Sequence, residues 1–516
     1  MAVLPTVGGS TNTWGTELND WLLVGHDSDG TPKTPSKATY TIYKTTSGSF
    51  PLYYARDQGG TLITSSADTA TTSGLKAVLG TLLPQFAHDI TIQFLANTRY
   101  HFLDAPLGNE SWAGVEDHIN FAQLENVTII GGGWSTILSN RSNWPTGTDV
   151  ETWDFTNSHN IMIRDMSVEC CGSLKSTTGA IDFDQGVNCR VFNVRIKRTR
   201  GAQGIVADGG DAGKYAGRNI FSHVYLQGRP QPPQLDLLSG GSLASTTEYR
   251  YCVSWVDMDL NGANTAGETR PSVVQSMTTT STSKSIQILL DIGAYTVTQR
   301  KIYRWDSTNG WRLLTTINDN TTTRFTDDGT LTPSAATFAV GSTIMGSGIE
   351  LLSNQDSIIT NCVADGVGDK NVGINQYGFN IVRKGSITPS SRNQINNCLS
   401  IGSGSYGMRI AGGSNNKIIG STVVNPGIAA TKAAFYRIEG VTFATDYNSI
   451  IGCHGVDTQD ANSPTGGATT SNAVSIAGTP APNKTLIDGC SFQGYTTAAT
   501  PIADGGTNTV LGTNVT

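Results

Sequence analysis

"NNKIIGSTVVNPG" (residues 415–427) opens on Asn, runs through alternating apolar residues and ends at Gly. Close variants recur: "NVTIIGGGWSTIL" (126–138), "NIMIRDMSVECCG" (160–172), "NCRVFNVRIKRTRG" (188–201), "RNQINNCLSIGSGSYG" (392–407) and "NKTLIDGCSFQGY" (483–495). Counting from Asn126, Asn160, Asn188 and Asn219, the repeats are 34, 28 and 31 residues apart; from Asn393, Asn416, Asn448 and Asn483 they are 23, 32 and 35 apart. Such periods belong to solenoids. Within each repeat the apolar residues alternate with period two, and helical spacing is absent. β-Branched residues fill the alternating runs, and Gly, Asn and Asp fill the bends between them. The pattern predicts an all-β chain in which each repeat is one coil of a right-handed, single-stranded parallel β-helix. No coil can bury its own inner face, so the coils must stack to make a core. The alignment predicts an inward column of Met166, Val194, Val224, Cys362, Cys398, Thr422, Cys453 and Cys490, with thiols serving as small apolar groups. The opening asparagines are expected to stack as an amide ladder between coils.

Composition narrows the function. The chain has 516 residues and 59 glycines; 37% of residues are hydrophobic and 15% charged. That is enough apolar content for a core, with the turn richness of a β protein. A net charge of −7 argues against nucleic acid as the main partner. The eight cysteines form no CxxC pair, so no zinc site and no resident metal are expected. The opening "MAVLPTVGGSTNTWG" has no basic-then-apolar leader, and no apolar run is long enough to span a membrane. Neither a secretory signal nor a membrane span is expected.

The repeats stop after "NIFSHVYLQG" and resume at "SGIELLSNQDSIITNC". The Pro-rich entry "RPQPPQ" marks the boundary of an insertion. Inside it, "YRYCVSWVDMDLNG" and "QRKIYRWDSTNGWRLLTTI" read as short strands around turns, the pattern of a β-sandwich. Upstream of the repeats, "TTSGLKAVLGTLLPQF" places Leu75, Val78, Leu79, Leu82 and Leu83 on one face of a helix suited to capping the open end of the solenoid. The expected organisation is an N-terminal segment (1–40), a cap region (41–125), a first β-helix part (126–228), an inserted sandwich (229–343), a second β-helix part (344–495) and a tail (496–516).

Chemistry is expected where outward side chains of successive coils form ladders about 4.8 Å apart. The second strand of each coil aligns on a Gly–apolar or Ala–apolar start, at Ala180, Gly204, Gly348, Gly373, Gly407, Ala434 and Ala473. The outward column then reads Asp182, Val206, Glu350, Asn375, Arg409, Tyr436 and Ser475. Two residues on, it reads Asp184, Asp208, Leu352, Tyr377 and Ala411. Clustered carboxylates repel, so one holds its proton longer than a free acid, the asymmetry that glycoside hydrolysis uses. Glu350 is the candidate acid and Asp208 its partner, with Asp182 and Asp184 as alternates. Asn375, Tyr377, Arg409 and Tyr436 are the candidate sugar-binding groups. The insertion emerges beside this cluster and is placed to wall one side of a groove. The competing chemistry is a lyase acting on a uronic-acid polymer. Lys197, Arg198 and Arg200 are a weaker candidate for an anionic polymer.

Three resemblances bear on these readings. "GGSTNTWGTELNDWLLVGHDSDGT", through Trp14, Gly15, Leu18, Asn19, Trp21, His26, Asp29 and Gly30, resembles the N-terminal attachment segment of bacteriophage tail fibre and tailspike proteins. The capping helix, "ANTRYHF" and "VTIIGGGWSTIL" together resemble the start of pectate-lyase-like β-helices. For the lyase alternative, this second resemblance implies that the same clustered carboxylates would hold calcium and that Arg409 or Lys214 would take the proton. "TEYRYCVSWVDMDLNGANTAGETRPS" resembles fibronectin type III-like modules. The assembly resembles a phage tailspike depolymerase. That resemblance implies a homotrimer carried on the virion, joined to the tail or baseplate through the N-terminal segment and cutting a bacterial surface polysaccharide outside the cell. A non-catalytic glycan-binding fibre is the alternative. No cofactor is expected of the hydrolase, and calcium only of the lyase.

Overall fold

The computed structural model describes residues 38–48, 50–69, 73–102, 120–140, 152–169, 179–197, 203–209, 216–258, 267–294, 296–337, 345–368, 377–383, 389–426, 433–441, 445–458, 470–494 and 501–514. The attachment-type motif, Cys170, Cys171, Arg198, Arg200, Lys214 and Asn375 lie outside the described residues.

Coil after coil, parallel strands pair with the equivalent strands one repeat away. One sheet is a ladder of ten described strands in chain order: Asn120–Ala122, Trp153–Thr156, Gly179–Asp184, Gln203–Asp208, Ile349–Leu352, Phe379–Val382, Met408–Ala411, Ala433–Val441, Thr470–Thr479 and Ile502–Asp504. The other two runs of each coil are joined by a sharp bend into one large sheet. Asp165 and Asn193 make that bend inside Met162–Glu169 and Arg190–Lys197, with φ of 57° and 52°. Asn and Asp tolerate this left-handed conformation better than most residues. The tube is a right-handed parallel β-helix, the hand that right-twisted strands impose on parallel crossovers.

Alternate residues of all three runs fill one continuous core. Rings stack along it: Trp153 on Phe155 at 6.0 Å, Phe155 on Phe183 at 5.4 Å, and Phe183 on Phe221 at 6.1 Å. Cys362, Cys398, Cys453 and Cys490 are buried in it as expected. One member of the inward column is off by a residue. Thr422 points outward, level with Leu399 and His454, and the buried Ser421 takes the place, its hydroxyl accepting from the Cys398 N–H.

The amide ladder exists, but only over part of the expected column. The N–H of Cys189 donates to Asn219 Oδ1, Asn219 to Ser357 Oγ, Ser357 to Asn393, Asn393 to Asn416 and Asn416 to Asn448, at 2.8–2.9 Å. Asn126, Asn160 and Asn188 sit one residue earlier, at the left-handed bend, where later coils carry Arg218, Asp356, Arg392, Asn415, Tyr447 and Lys484. Asn483 sits a further residue back, bridged to Asp446. The opening Asn of the sequence phrase therefore marks three different positions. Asn416→Ala removes the acceptor for Asn393 N–H and the donor to Ser390 O. Asn393 N–H is left unpaired, whereas Ser390 O keeps the N–H of Ser414, so the cost is about 1–3 kcal/mol. Asn416→Ser is expected to cost less, because Ser357 already serves the same step. Urea midpoints of the two variants against the parent check this, and equal losses would overturn it.

The helix Gly74–Leu82 forms where expected, capped by Ser73, whose hydroxyl accepts from Lys76 N–H. Leu75, Val78, Leu79, Leu82 and Leu83 all enter the core, so the helix covers the first coil. Ala38–Ser47 extends the tube by pairing in parallel with Ile90–Phe94, then hairpins through Phe50–Asp57 and Leu62–Ala67. No helix among the described residues is long and apolar enough to cross a membrane.

The insertion leaves after Tyr225–Gln227, and the ladder closes across it, with Ile205 level with Ile349 and Tyr225 level with Val363. It holds two antiparallel sheets. One comprises Gln234–Leu238, Ser285–Leu289 and Arg324–Asp327; the other is built on Glu248–Asp257, Val297–Asp306 and Gly310–Ile317. Leu243, Tyr251, Val253, Ile286, Ile288, Ile302 and Leu314 form their shared core, so the insertion is a β-sandwich. It is latched to the tube: Asp291 accepts from Gln227 Nε2 at 2.6 Å and Arg195 Nη2 at 3.4 Å, and Lys197 Nζ donates to Ile292 O at 2.8 Å. Lys197 is thus buried and engaged rather than presented to a polymer.

Candidate functional site

The ten-stranded sheet carries the candidate residues on its outer face. Its register is set by a column of close approaches at Gly204, Gly348, Gly378 and Gly407, where a Cβ on Gly348 would lie 2.2 Å from Gly378 O. The outward column reads Asp154, Asp182, Val206, Glu350, Asn380, Arg409, Arg437 and Ser475. Two residues on, it reads Thr156, Asp184, Asp208, Leu352, Val382, Ala411 and Glu439.

Three expected positions change. The coil after that of Glu350 starts at Gly378 and not Gly373, so Asn380 takes the place expected for Asn375. By the same shift Val382 takes the place given to Tyr377, which lies just before the strand. Tyr436 points inward, level with Met408, and its hydroxyl donates to Ser421 O and His454 O; Arg437 is the outward residue. Phe435 and Tyr436 are both apolar enough to be the inward residue, and a one-residue slip exchanges the faces.

The acids come together as two lateral pairs. Asp154 is level with Asp182, and Asp184 is level with Asp208, across adjacent strands. Asp154 was not among the residues read from the sequence. "WDFT" (153–156) lines up with "IDFD" (181–184), so carrying the alignment one coil upstream would have found it. Asp154 and Asp184 are half-buried, while Asp182 and Asp208 are 9% and 6% exposed. Burial first, and then the negative charge of Asp184, push the Asp154 carboxyl up to about 7; a hydrogen bond from Thr156 pulls weakly the other way.

Glu350 follows on the next coil but is only 2% exposed. Gln203 Nε2 donates to its Oε2 at 2.7 Å and Asn380 Nδ2 to its Oε1 at 2.8 Å, tying three coils through one carboxylate. Burial raises it to about 7 against the pull of these amides and of Arg409, and the charge of Asp208 adds to the rise. A carboxyl raised in the folded state is stabilising below its unfolded value, and that contribution is lost as pH rises through about 7. Glu350→Gln is expected to remove this loss. Its urea midpoint should gain on the parent between pH 5 and pH 8, and a constant gap between the two would refute the assignment.

Toward the later coils the face changes sign. Arg409 donates to Glu439 through Nε and Nη2 at 3.0 and 2.8 Å, and Arg437 through Nε and Nη2 at 3.1 and 2.8 Å. Each guanidinium lies 4.8 Å from a ring centre, Arg409 over Tyr377 and Arg437 over Tyr406. The two rings stack at 5.9 Å. Burial pushes Glu439 up, but the two arginines outweigh it and hold the carboxyl below its usual range.

Among the described residues no three of His, Cys, Asp or Glu are grouped so that they can hold a metal ion. Of the two candidate bases of the lyase reading, Arg409 is engaged by Glu439 and Lys214 lies outside the described residues.

No protein-family model and no curated protein sequence matches the chain. Among solved structures it is similar to the A-module of the mannuronan C-5 epimerase AlgE4 from Azotobacter vinelandii, at 11% identity and a TM-score of 0.37, covering 82% of this chain and 90% of that one. It is also similar to ORF18 of Geobacillus virus E2, at 9% identity and a TM-score of 0.35, covering 90% and 68%. A hyperthermoactive exopolygalacturonase from Thermotoga maritima matches at 9% identity and a TM-score of 0.34, covering 76% and 67%. Values this low say nothing about what this chain acts on.

Proposed function

We propose that the chain is a polysaccharide depolymerase, a glycoside hydrolase working on the outer face of the ten-stranded sheet. Asp154 is the general acid and Asp184 the base that activates water. The observation that carries this is the half-buried Asp154, raised to about 7 beside the charged Asp184. A proton held near neutral pH next to an ionised partner is what protonating a leaving oxygen requires. The acid passes here from Glu350 to Asp154. Glu350 is buried with both oxygens engaged, so it serves as a tie between coils.

Asp154 and Asp184 are diagonal neighbours, one strand and two residues apart. With strands about 4.8 Å apart and about 6.6 Å for two residues, their anchors lie about 8 Å from each other. That spacing suits the inverting arrangement, in which water sits between carboxyls about 6.5–9.5 Å apart. The flat face admits an extended chain.

The leader motif around Trp14 and Trp21 supports a tailspike setting, with a homotrimer on a phage tail and the latched sandwich as a fibronectin type III-like accessory module. A panel of bacterial surface polysaccharides tests the reading. New reducing ends of inverted anomeric configuration, without ultraviolet-absorbing unsaturated sugars, are expected. Unsaturated products would move the enzyme to the lyases, and oligosaccharide retention with no cleavage would make it a binding fibre.

A further inference from the structure

The outer face is electrically polarised along the tube. Its early coils present Asp154, Asp182, Asp184 and Asp208, and its later coils present Arg409 and Arg437 sharing the single carboxylate of Glu439. From Asp182 to Arg409 is four strand steps, through Val206, Glu350 and Asn380. At about 4.8 Å per step that is about 19 Å, with Arg437 one step further.

The arginine end has the build of an anion-recognition site. Arg409 and Arg437 are 13% and 20% exposed, so they are partly desolvated yet reachable. Their orientation is set from below by Tyr377 and Tyr406 and from the side by Glu439. Both use Nε and Nη2 on Glu439, and Arg437 Nη1 also donates to the Tyr406 hydroxyl. Two guanidiniums on one carboxylate leave an excess positive charge there, and a pre-oriented, partly buried guanidinium binds carboxylate with little ordering cost. The carboxylates beside Asp154 at the other end repel the same group.

Resting on the hydrolase reading, we infer that the substrate is an acidic heteropolysaccharide whose carboxylate recurs among neutral sugars. Arg409 and Arg437 are its specificity-determining residues. They take that carboxylate about four coils from the acids, while a neutral stretch lies across Asp154 and Asp184. A polymer charged at every sugar fits poorly, because some of its carboxylates fall on the aspartates. The face therefore also selects the direction in which the chain lies.

Affinity electrophoresis tests this with full-length protein carrying Asp154→Asn, so that binding is read without turnover. The probes are gellan, whose uronate recurs among neutral sugars, carboxyl-reduced gellan, and polygalacturonate. Gellan is expected to bind about tenfold more tightly than its reduced form, the loss of one charge-assisted contact. Arg437→Gln and Arg409→Gln, added singly and checked for an unchanged thermal midpoint, are expected to abolish that difference without weakening binding of the reduced polymer. Arg437→Lys is expected to restore part of it. Equal binding of the two gellans, stronger binding of polygalacturonate, no retention on gellan, or a difference that survives both arginine variants would each overturn the inference. Retention without cleavage by the parent protein would instead count against the hydrolase reading alone.

Discussion

Asp154→Asn is expected to lower kcat by about 10²–10⁴-fold, the contribution of a positioned general acid. Asn keeps the shape and takes away the proton, so substrate affinity should stay close to the parent's, and the unfolding midpoint should match the parent's at low pH and gain on it as pH rises toward about 7. The pH profile gives the sharper readout. An acid raised to about 7 must be protonated to act, so the parent's activity should fall as pH rises through about 7. The variant should lose that limb and keep only the acid-side fall, where the base becomes protonated. Asp184→Asn should do the reverse, removing the acid-side limb. It should also let Asp154 titrate lower, because the charge that helps to raise it is gone. An Asp154→Asn enzyme with an unchanged profile would falsify the assignment and return attention to Glu350 and Asp208.

Phe183→Ala carries the largest expected cost in stability. Its ring lies in the core between Phe155 and Phe221, on the strand that presents Asp182 and Asp184 on the opposite face. Truncating a buried Phe costs about 3–5 kcal/mol through lost burial and the cavity left behind. Because each coil rests on its neighbours, that cost should spread along the tube and show as a lower urea midpoint. Turnover should fall as well, since the two aspartates lose the support that holds them level with Asp154 and Asp208. Phe183→Leu should recover most of both. If Phe183→Ala lowers stability and leaves kcat unchanged, the core stack does not position the site.

How far the sequence reached can be followed residue by residue. Alternation and the recurring bends named the parallel coils, the helix at Gly74–Leu82, the buried thiols and the placement of Asp182, Asp184, Asp208 and Glu350 on one outer face. These features repeat in every coil, so many weak signals add. Misreadings fell where a signal was ambiguous by one residue or one Gly. Gly373 and Gly378 both precede an apolar residue, and only the close approach between Gly348 and Gly378 selects the second. Ser421 and Thr422 are both small and polar, and only core packing chooses Ser421.

The linear order of residues determined that this chain must stack, because its alternating apolar faces have no partner within a single repeat. Which acids meet, and how much water each keeps, was decided only in three dimensions. Asp154 and Asp184 are thirty residues apart in the chain and diagonal neighbours on the sheet. Asp154 and Glu350 are both raised to about 7, yet one is reachable and the other is sealed between two amides. Proton affinity depends on desolvation and on charges a few ångströms away, and neither is a property of position along the chain.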